Sequence, residues 1–268
     1  MKCNCLKLVI MIDLHCHILP GIDDGSPDIE ESIRMASIAY NDGIRTIVAT
    51  PHTMNGIFVS ERNLILTEVK KFQHILNAEK IDILILPGSD VHVNHNMLEL
   101  INQGKAMTVN DTGKYLLLEF PHQLVPPRIP ELVFELKLHG ITPIFTHPER
   151  NAAIQGDLNI ILHLVEQGAM TQITANSLTG EFGPMAYKTA VEMLKHNLAH
   201  IIASDAHSSK IRSPKLSNAI HKASEINGEK RAKDMVTTIP QAIIDGKVIN
   251  ELPDPITPQK SLFKRIFG

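Results

Sequence analysis

Six apolar runs in this chain end in the same way. Each stops at a histidine or a carboxylate, then passes into a loop and a helical pattern. Residues 6–14 run into His15 and His17 and then a Gly-flanked acidic pair, Asp23 and Asp24. Residues 44–50 lead to His52, 81–86 to Asp90, 115–118 to Glu119, 141–146 to His147 and Arg150, and 200–204 to Asp205 and His207. Strands alternating with helices about every 30 residues read as α/β with a parallel sheet. Ligand-type residues at the carboxyl ends of successive strands narrow this to a barrel or an open sheet with its site at one end.

Side chains alternate along a strand, so Asp13, His15 and His17 are expected on one face, with Leu14 and Cys16 on the other. Two imidazoles about 7 Å apart on one face can grip a divalent cation, and a carboxylate on the following loop can reach back to it. Histidine mixed with carboxylate and without thiolate suits Mn²⁺, Fe²⁺ or Zn²⁺ in a hydrolytic cluster. Most of the 14 histidines have plainer readings. His74, His139, His163, His196 and His221 fall on helical patterns or near helix ends, where an imidazole pairs with free carbonyls, and His95 opens a helix. His122 follows a strand end and is a candidate for the pocket wall. His15, His17, His52, His147 and His207 differ because each closes a strand beside another ligand type. Next to Asp24, Asp23 reads as a turn-shaping residue. Asp13 reads as a carboxylate that orients a neighbour from behind, and Glu149 either as the same or as a salt-bridge partner. Asn176, Ser177 and residues 180–183 follow a further strand and shape the pocket mouth, with no role assigned.

The helical patterns are equally legible. Ser26 and Pro27 mark an N-cap and first helical position, Ile29, Ile33, Ala36 and Tyr40 share a face, and Gly43 stops the helix. Further helices are expected at 61–79 (Leu64, Val69, Phe72 and Leu76 inward), 97–103, 129–138, 158–167, 185–196, 213–226 and 232–245. A net charge of −3, scattered Lys and Arg and no tryptophan argue against a nucleic-acid partner. Cys3, Cys5 and Cys16 form no disulfide framework, which suits a reducing cytoplasm. The first apolar run, cut by Asp13, is too short for a signal peptide or membrane span. The organisation expected is an extension over 1–10, with Met11 an alternative start, one domain over 11–252, and a Pro-rich then basic-aromatic tail over 253–268. That tail reads as a frayed end or as a contact with a membrane surface or partner.

The series HCHILPGIDDG, ATPH, PGSD, LEFP, HPERN, ANSLTGEFG and IASDAH resembles the polymerase and histidinol phosphatase (PHP) superfamily. More closely, it is similar to the manganese-dependent protein tyrosine phosphatases of bacterial capsule and exopolysaccharide loci, the CpsB/CapC type, from about residue 11 to 217. The resemblance implies a distorted (β/α)7 barrel, Mn²⁺ as the metal with up to three ions, and a tyrosine-phosphorylated kinase of polysaccharide synthesis as partner. It implies His15, His17, Asp90 and Asp205 around a first ion, Asp90, Glu119 and His147 around a second, and Asp24, His52 and His207 around a third. Arg150 and Arg212 match the family's phosphate-binding arginines. Where the family usually carries glutamate this chain has Asp90, one methylene shorter, which weakens a two-metal bridge unless His92 on the same face makes up the reach.

Such a cluster suits phosphate esters: clustered cations lower the pKa of water and guanidinium clamps neutralise the transferring group. The cysteine-dependent phosphatase route needs C-x5-R, and the residues six after the three cysteines are Val9, Met11 and Ile22. Rival readings are a PHP phosphatase for a small ester such as histidinol phosphate, which a deep pocket would favour, and a non-catalytic metal-binding module, which would need a broken cluster. Amidohydrolase chemistry would not need two phosphate-type arginines.

Overall fold

The computed structural model describes residues 10–258. Nine strands are present among them: β1 (Met11–Cys16), β2 (Ile44–Ala49), β3 (His52–Thr53), β4 (Leu84–Pro87), β5 (Asp90–His92), β6 (Tyr115–Glu119), β7 (Thr142–Thr146), β8 (Met170–Thr174) and β9 (Ile201–Ala203). Every pairing is parallel, in the orders β1-β2-β4 and β3-β5-β6-β7-β8-β9. β2 and β3 are two pieces of one run broken at Thr50 and Pro51, and β4 and β5 are two pieces broken at Gly88 and Ser89. A Cβ on Gly88 would stand 2.8 Å from Val48 Cγ1, so only glycine lets the second run cross so close to the first. Taken as single staves, the broken runs leave seven. The seam between the first and last is drawn shut by a parallel bridge from Cys16 to Ala206, by His17 N–H donating to the Ala206 carbonyl at 2.9 Å, and by Asp205 N–H donating to the His15 carbonyl at 2.8 Å. The result is the distorted seven-stave α/β barrel that the motif series implied.

Two apolar layers follow from strand alternation. Outward residues such as Leu116, Leu118, Phe145 and Ile202 pack with Phe72, Leu76, Leu136 and Met193 of the surrounding helices. Inward residues Ile12, Leu14, Val48, Leu117, Ile144, Met170 and Ile201 form a plug together with Ile239 and Ile243 from below. Two residues farther along the same faces stand polar groups instead: Glu119 after Leu117, Thr146 after Ile144, Gln172 after Met170. Period-two geometry therefore stacks a polar ring directly on the apolar plug.

Local details depart from the sequence reading in instructive ways. The register of β1 against β2 shifts between Asp13 and Cys16. Strict alternation is lost there, Leu14 joins the inner plug, and Asp13 turns sideways to accept from Ser204 N–H (2.9 Å) and Oγ–H (2.5 Å). Helix Ile29–Asp42 is capped by Asp28, which accepts from Glu31 N–H, and not by Ser26. Helix Arg62–Ala78 buries Ile65 where Leu64 was expected. The stretch expected as one helix over 232–245 is two, Glu229–Asp234 and Thr238–Ile244. Residues 253–258 have no regular structure yet lie against a helix end: Ile256 N–H donates to the His196 carbonyl at 2.8 Å and Asn197 Nδ2 to the Asp254 carbonyl at 2.9 Å. The 1–9 extension and the basic-aromatic segment lie outside the described residues, as do Cys3 and Cys5.

Helix Ser217–Asn227 has no side-chain cap of its own. Asp42, the last residue of helix Ile29–Asp42, supplies one, accepting from Leu216 N–H, Ser217 N–H and Ser217 Oγ–H at 2.6, 3.0 and 2.5 Å. Asp42→Ala is therefore expected to destabilise the fold by about 1 kcal/mol, the scale of a lost helix cap. Urea unfolding of wild type and variant measures it, and an unchanged midpoint would show that the cap contributes nothing.

Candidate metal centre

Every residue of the expected ligand set lies at the carboxyl ends of the staves. At the end of β1, His15 and His17 bring their Nε2 atoms to 3.0 Å of each other, and Asp205 Oδ1 stands 3.4 Å from both. Each ring is held from behind through its other nitrogen. His15 Nδ1–H donates to Gln172 Oε1 at 2.9 Å and His17 Nδ1–H to Asp23 Oδ2 at 2.6 Å. A proton fixed on Nδ1 leaves the Nε2 lone pair free to face the centre, which is what a metal-ligating imidazole requires. Asp23 also accepts from His52 N–H and Gly25 N–H. A Cβ on Gly25 would overlap the His17 carbonyl and Cβ, so only glycine allows this loop to fold back.

Beside this pair sit Asp90, Glu119 and His147. Asp90 Oδ2 lies 3.3 Å from His52 Nδ1, 3.6 Å from His15 Nε2 and 3.9 Å from His147 Nε2, while Oδ1 accepts from Thr146 Oγ1 at 3.0 Å. Glu119 reaches His147 Nε2 and His52 Nδ1, each at 3.5 Å. The shorter carboxylate of Asp90 thus stands centrally, facing His15, His52 and His147. His92 faces Glu119 at 3.9 Å. On the outer side, Asp24 Oδ1 lies 3.7 Å from His52 Nε2 and 3.6 Å from His207 Nε2. His52 accordingly uses both nitrogens and stands between two subsites, where the resemblance gave it one. His147 and Asp205 hold left-handed backbone conformations, φ +36° and +50°, strain of the kind that clusters at functional sites.

The donor set fits divalent cations on this structure's own terms. His52 Nδ1, Asp90 Oδ2, His147 Nε2 and Asp205 Oδ1 are buried with no hydrogen-bond partner, and all face the same space. Three groups of ligand atoms each lie within 4.8 Å of one another: His17, Asp24, His52 and His207; His15, His17 and Asp205; His52, Asp90 and Glu119. The cluster draws positive charge. Burial opposes a charged His17, yet Asp23 and Asp205 outweigh it and pull its pKa up to about 10. His15, where burial prevails over Asp90 and Asp205, is pushed down to about 4 and is neutral. A bound cation competes with the proton for such sites.

Arg150 and Arg212 flank the cluster. Their Nη2 atoms lie 2.8 and 2.6 Å from the same oxygen, Asp205 Oδ2, and the Nε of each is buried without a partner. The expectations for Asp23 and Glu149 change. Asp23 is the support of His17 as well as a turn former, and a short bond between residues six apart across a loop has no signature in a single sequence. Glu149 forms no ion pair; its Oε1 accepts from Thr174 N–H at 2.9 Å and Ser177 Oγ–H at 2.7 Å. Gln172 and Thr146 stand outside the sequence reading because residue type alone does not mark them, and Phe182 falls within the 180–183 stretch expected at the pocket mouth. His122 is exposed and uses its main-chain carbonyl to accept from Ala152 N–H.

Removing the charge behind His17 should loosen the site without unmaking the loop. Asp23→Asn is expected to weaken Mn²⁺ binding by about ten- to a hundredfold, the usual effect of losing such an outer partner. Calorimetric titration with Mn²⁺ reads it directly. The crowding around Asp90 gives a second expectation: the added methylene of Asp90→Glu raises the Mn²⁺ concentration needed for half-saturation, because the fully buried side chain has no room to extend. A lower requirement in that variant would show the bridge to be too short in the native chain.

Comparison with known proteins agrees with this geometry. The chain is 35% identical over 250 residues to the tyrosine-protein phosphatase YwqE of Bacillus subtilis, covering 93% of this chain and 98% of that one. A crystal structure described with YwqE from B. subtilis and CpsB from Streptococcus pneumoniae as metal-dependent tyrosine phosphatases superposes with a TM-score of 0.87 at 35% identity, covering 92% of this chain and all of the other. Histidinol phosphate phosphatase from Lactococcus lactis, solved with zinc, histidinol and phosphate, shares the fold at a TM-score of 0.53 and 15% identity, over 83% of this chain and 93% of its own. Residues 11–245 match the family model for capsular polysaccharide synthesis proteins of the CpsB/CapC type, and the chain belongs to that family.

Proposed function

We propose that this protein is a metal-dependent protein-tyrosine phosphatase that removes phosphate from a tyrosine-phosphorylated bacterial kinase of capsular or exopolysaccharide synthesis. The observation that carries the reading is the convergence of buried, unpartnered imidazole and carboxylate atoms with two arginines whose Nε donors are free. His15, His17, Asp90 and Asp205 would hold one ion, Asp90, Glu119 and His147 a second, Asp24, His52 and His207 a third. Mn²⁺ is the ion this reading favours, with Fe²⁺ or Zn²⁺ compatible with the same donors. When bound, such ions supply Lewis-acid charge and lower the pKa of coordinated water. Arg150 and Arg212 present planar donors that match phosphate oxygens in bidentate fashion and balance charge on the transferring group. A phenolate leaves readily enough that the chain needs no strong acid beside it.

The thiol route has no support in the geometry. Among the described residues Cys16 is the one cysteine; it is buried and free, and burial pushes its pKa well up, so it supplies no thiolate nucleophile. The reading places the reaction in the cytoplasm, on a kinase at the membrane; no helix among the described residues is long and apolar enough to cross a bilayer.

The purified protein is expected to release phosphate from p-nitrophenyl phosphate and a phosphotyrosine peptide when given Mn²⁺, to lose activity with a chelator, and to survive thiol alkylation. Histidinol phosphate in a parallel assay tests the small-ester alternative, and faster turnover of it than of the peptide would overturn the protein-phosphatase assignment. Arg150→Ala and Arg212→Ala should each keep their metal yet lose about a hundredfold in rate, the scale of a removed charge clamp. Metal content measured beside the rate separates that outcome from a structural collapse of the site.

A further inference from the structure

The two arginines share more than a carboxylate. Arg150 lies with its guanidinium carbon 4.7 Å from the centre of the Phe182 ring, and Arg212 lies 5.6 Å from the same ring. We propose that Phe182 is the positioning residue of the phosphate clamp: its half-buried ring carries both guanidiniums and holds their free donors in one geometry. The proposal rests on the phosphatase reading for what the clamp grips, but its central claim concerns anion binding.

Two cations donate to one oxygen of Asp205. A single carboxylate cannot neutralise both, and its other oxygen already faces His15 and His17. When that carboxylate gives charge to a metal, the guanidiniums repel each other with less to hold them. The negative face of an aromatic ring attracts a guanidinium, more strongly as the contact is desolvated, without occupying its N–H donors. Phe182 therefore fixes the arginines and leaves their hydrogen-bonding edges for phosphate.

The surroundings are built around this ring. Phe182 sits between Gly180 and Gly183, both at φ +86°, in a turn that side-chain-bearing residues rarely adopt. Asn176 Nδ2 donates to Glu181 Oε2 at 2.7 Å and to the carbonyl of Ile211, the residue before Arg212, at 3.4 Å. On the other side, Glu149 fastens the turn carrying Arg150 to Thr174 and Ser177. Three segments distant in sequence, around residues 150, 180 and 211, are thus tied to one another, and the ring stands where they meet.

The test uses the Mn²⁺-loaded full chain. Phe182→Leu is expected to weaken inorganic phosphate binding about tenfold, and to raise KM for both p-nitrophenyl phosphate and glycerol 1-phosphate by a similar factor, while the Mn²⁺ titration stays unchanged. Phe182→Tyr and Phe182→Trp should restore wild-type binding. Phe182→Leu placed in an Arg150→Ala, Arg212→Ala background should add little, because its effect runs through those residues. A loss confined to the aryl ester would mean that the ring touches the substrate and would overturn the proposal. So would an unchanged phosphate affinity, a failure of both aromatic variants to restore it, or full additivity. Failure of the wild type to hydrolyse either ester would instead sink the phosphatase reading, leaving the phosphate-binding comparison to decide this one.

Discussion

The barrel closes and the cluster of His15, His17 and Asp205 assembles through the same two hydrogen bonds. His17 N–H to the Ala206 carbonyl and Asp205 N–H to the His15 carbonyl zip the first stave to the last, and three of those four residues or their side chains face the cluster. Parallel staves keep all their carboxyl ends on one side, so shutting this seam forces His15, His17 and Asp205 to meet. Fold and site therefore form together or not at all. Such closure is a long-range contact, spanning about 190 residues, and its entropy must be offset by the apolar plug beneath.

What the closure gathers is electrostatically costly. Asp90 and Asp205 are fully buried and Glu119 nearly so, with more imidazole nitrogens than hydrogen-bond partners around them. Burying carboxylates is unfavourable unless charge answers charge. The chain meets part of that demand itself, through the arginines on Asp205 and the proton drawn onto His17. The remainder is what divalent cations supply, so metal binding and the integrity of this end of the barrel are linked.

Rigid and adaptable parts divide the work. His15, His52, Asp90 and Glu119 are strand residues, and His17, His147, Asp205 and His207 follow strand ends closely, backed by Gln172, Thr146 and Asp23, so the sheet sets most of the candidate ligand geometry. The arginines come from loops and short turns, and their guanidiniums rest on Asp205 and over the Phe182 ring.

By itself the sequence determined the strand-helix alternation and the ligand types, because period-two and helical patterns and strand-end histidines are local signals, while the seven-stave barrel was implied only by the family resemblance. The family motifs added which residues share a subsite, and the structure brings all nine ligand candidates and both arginines to one end. Helix ends were readable to within a few residues, except where a cap came from another element, as Asp42 caps a distant helix. Tertiary structure alone decided how the ligands are held. The register shift that turns Asp13 toward Ser204, the double use of His52, Gln172 behind His15 and Phe182 beneath two arginines all depend on which staves become neighbours. Phenylalanine, glutamine and threonine carry no mark of such roles in a single chain; their roles come from contacts between residues about 30 to 157 positions apart, and only the closed barrel creates those contacts.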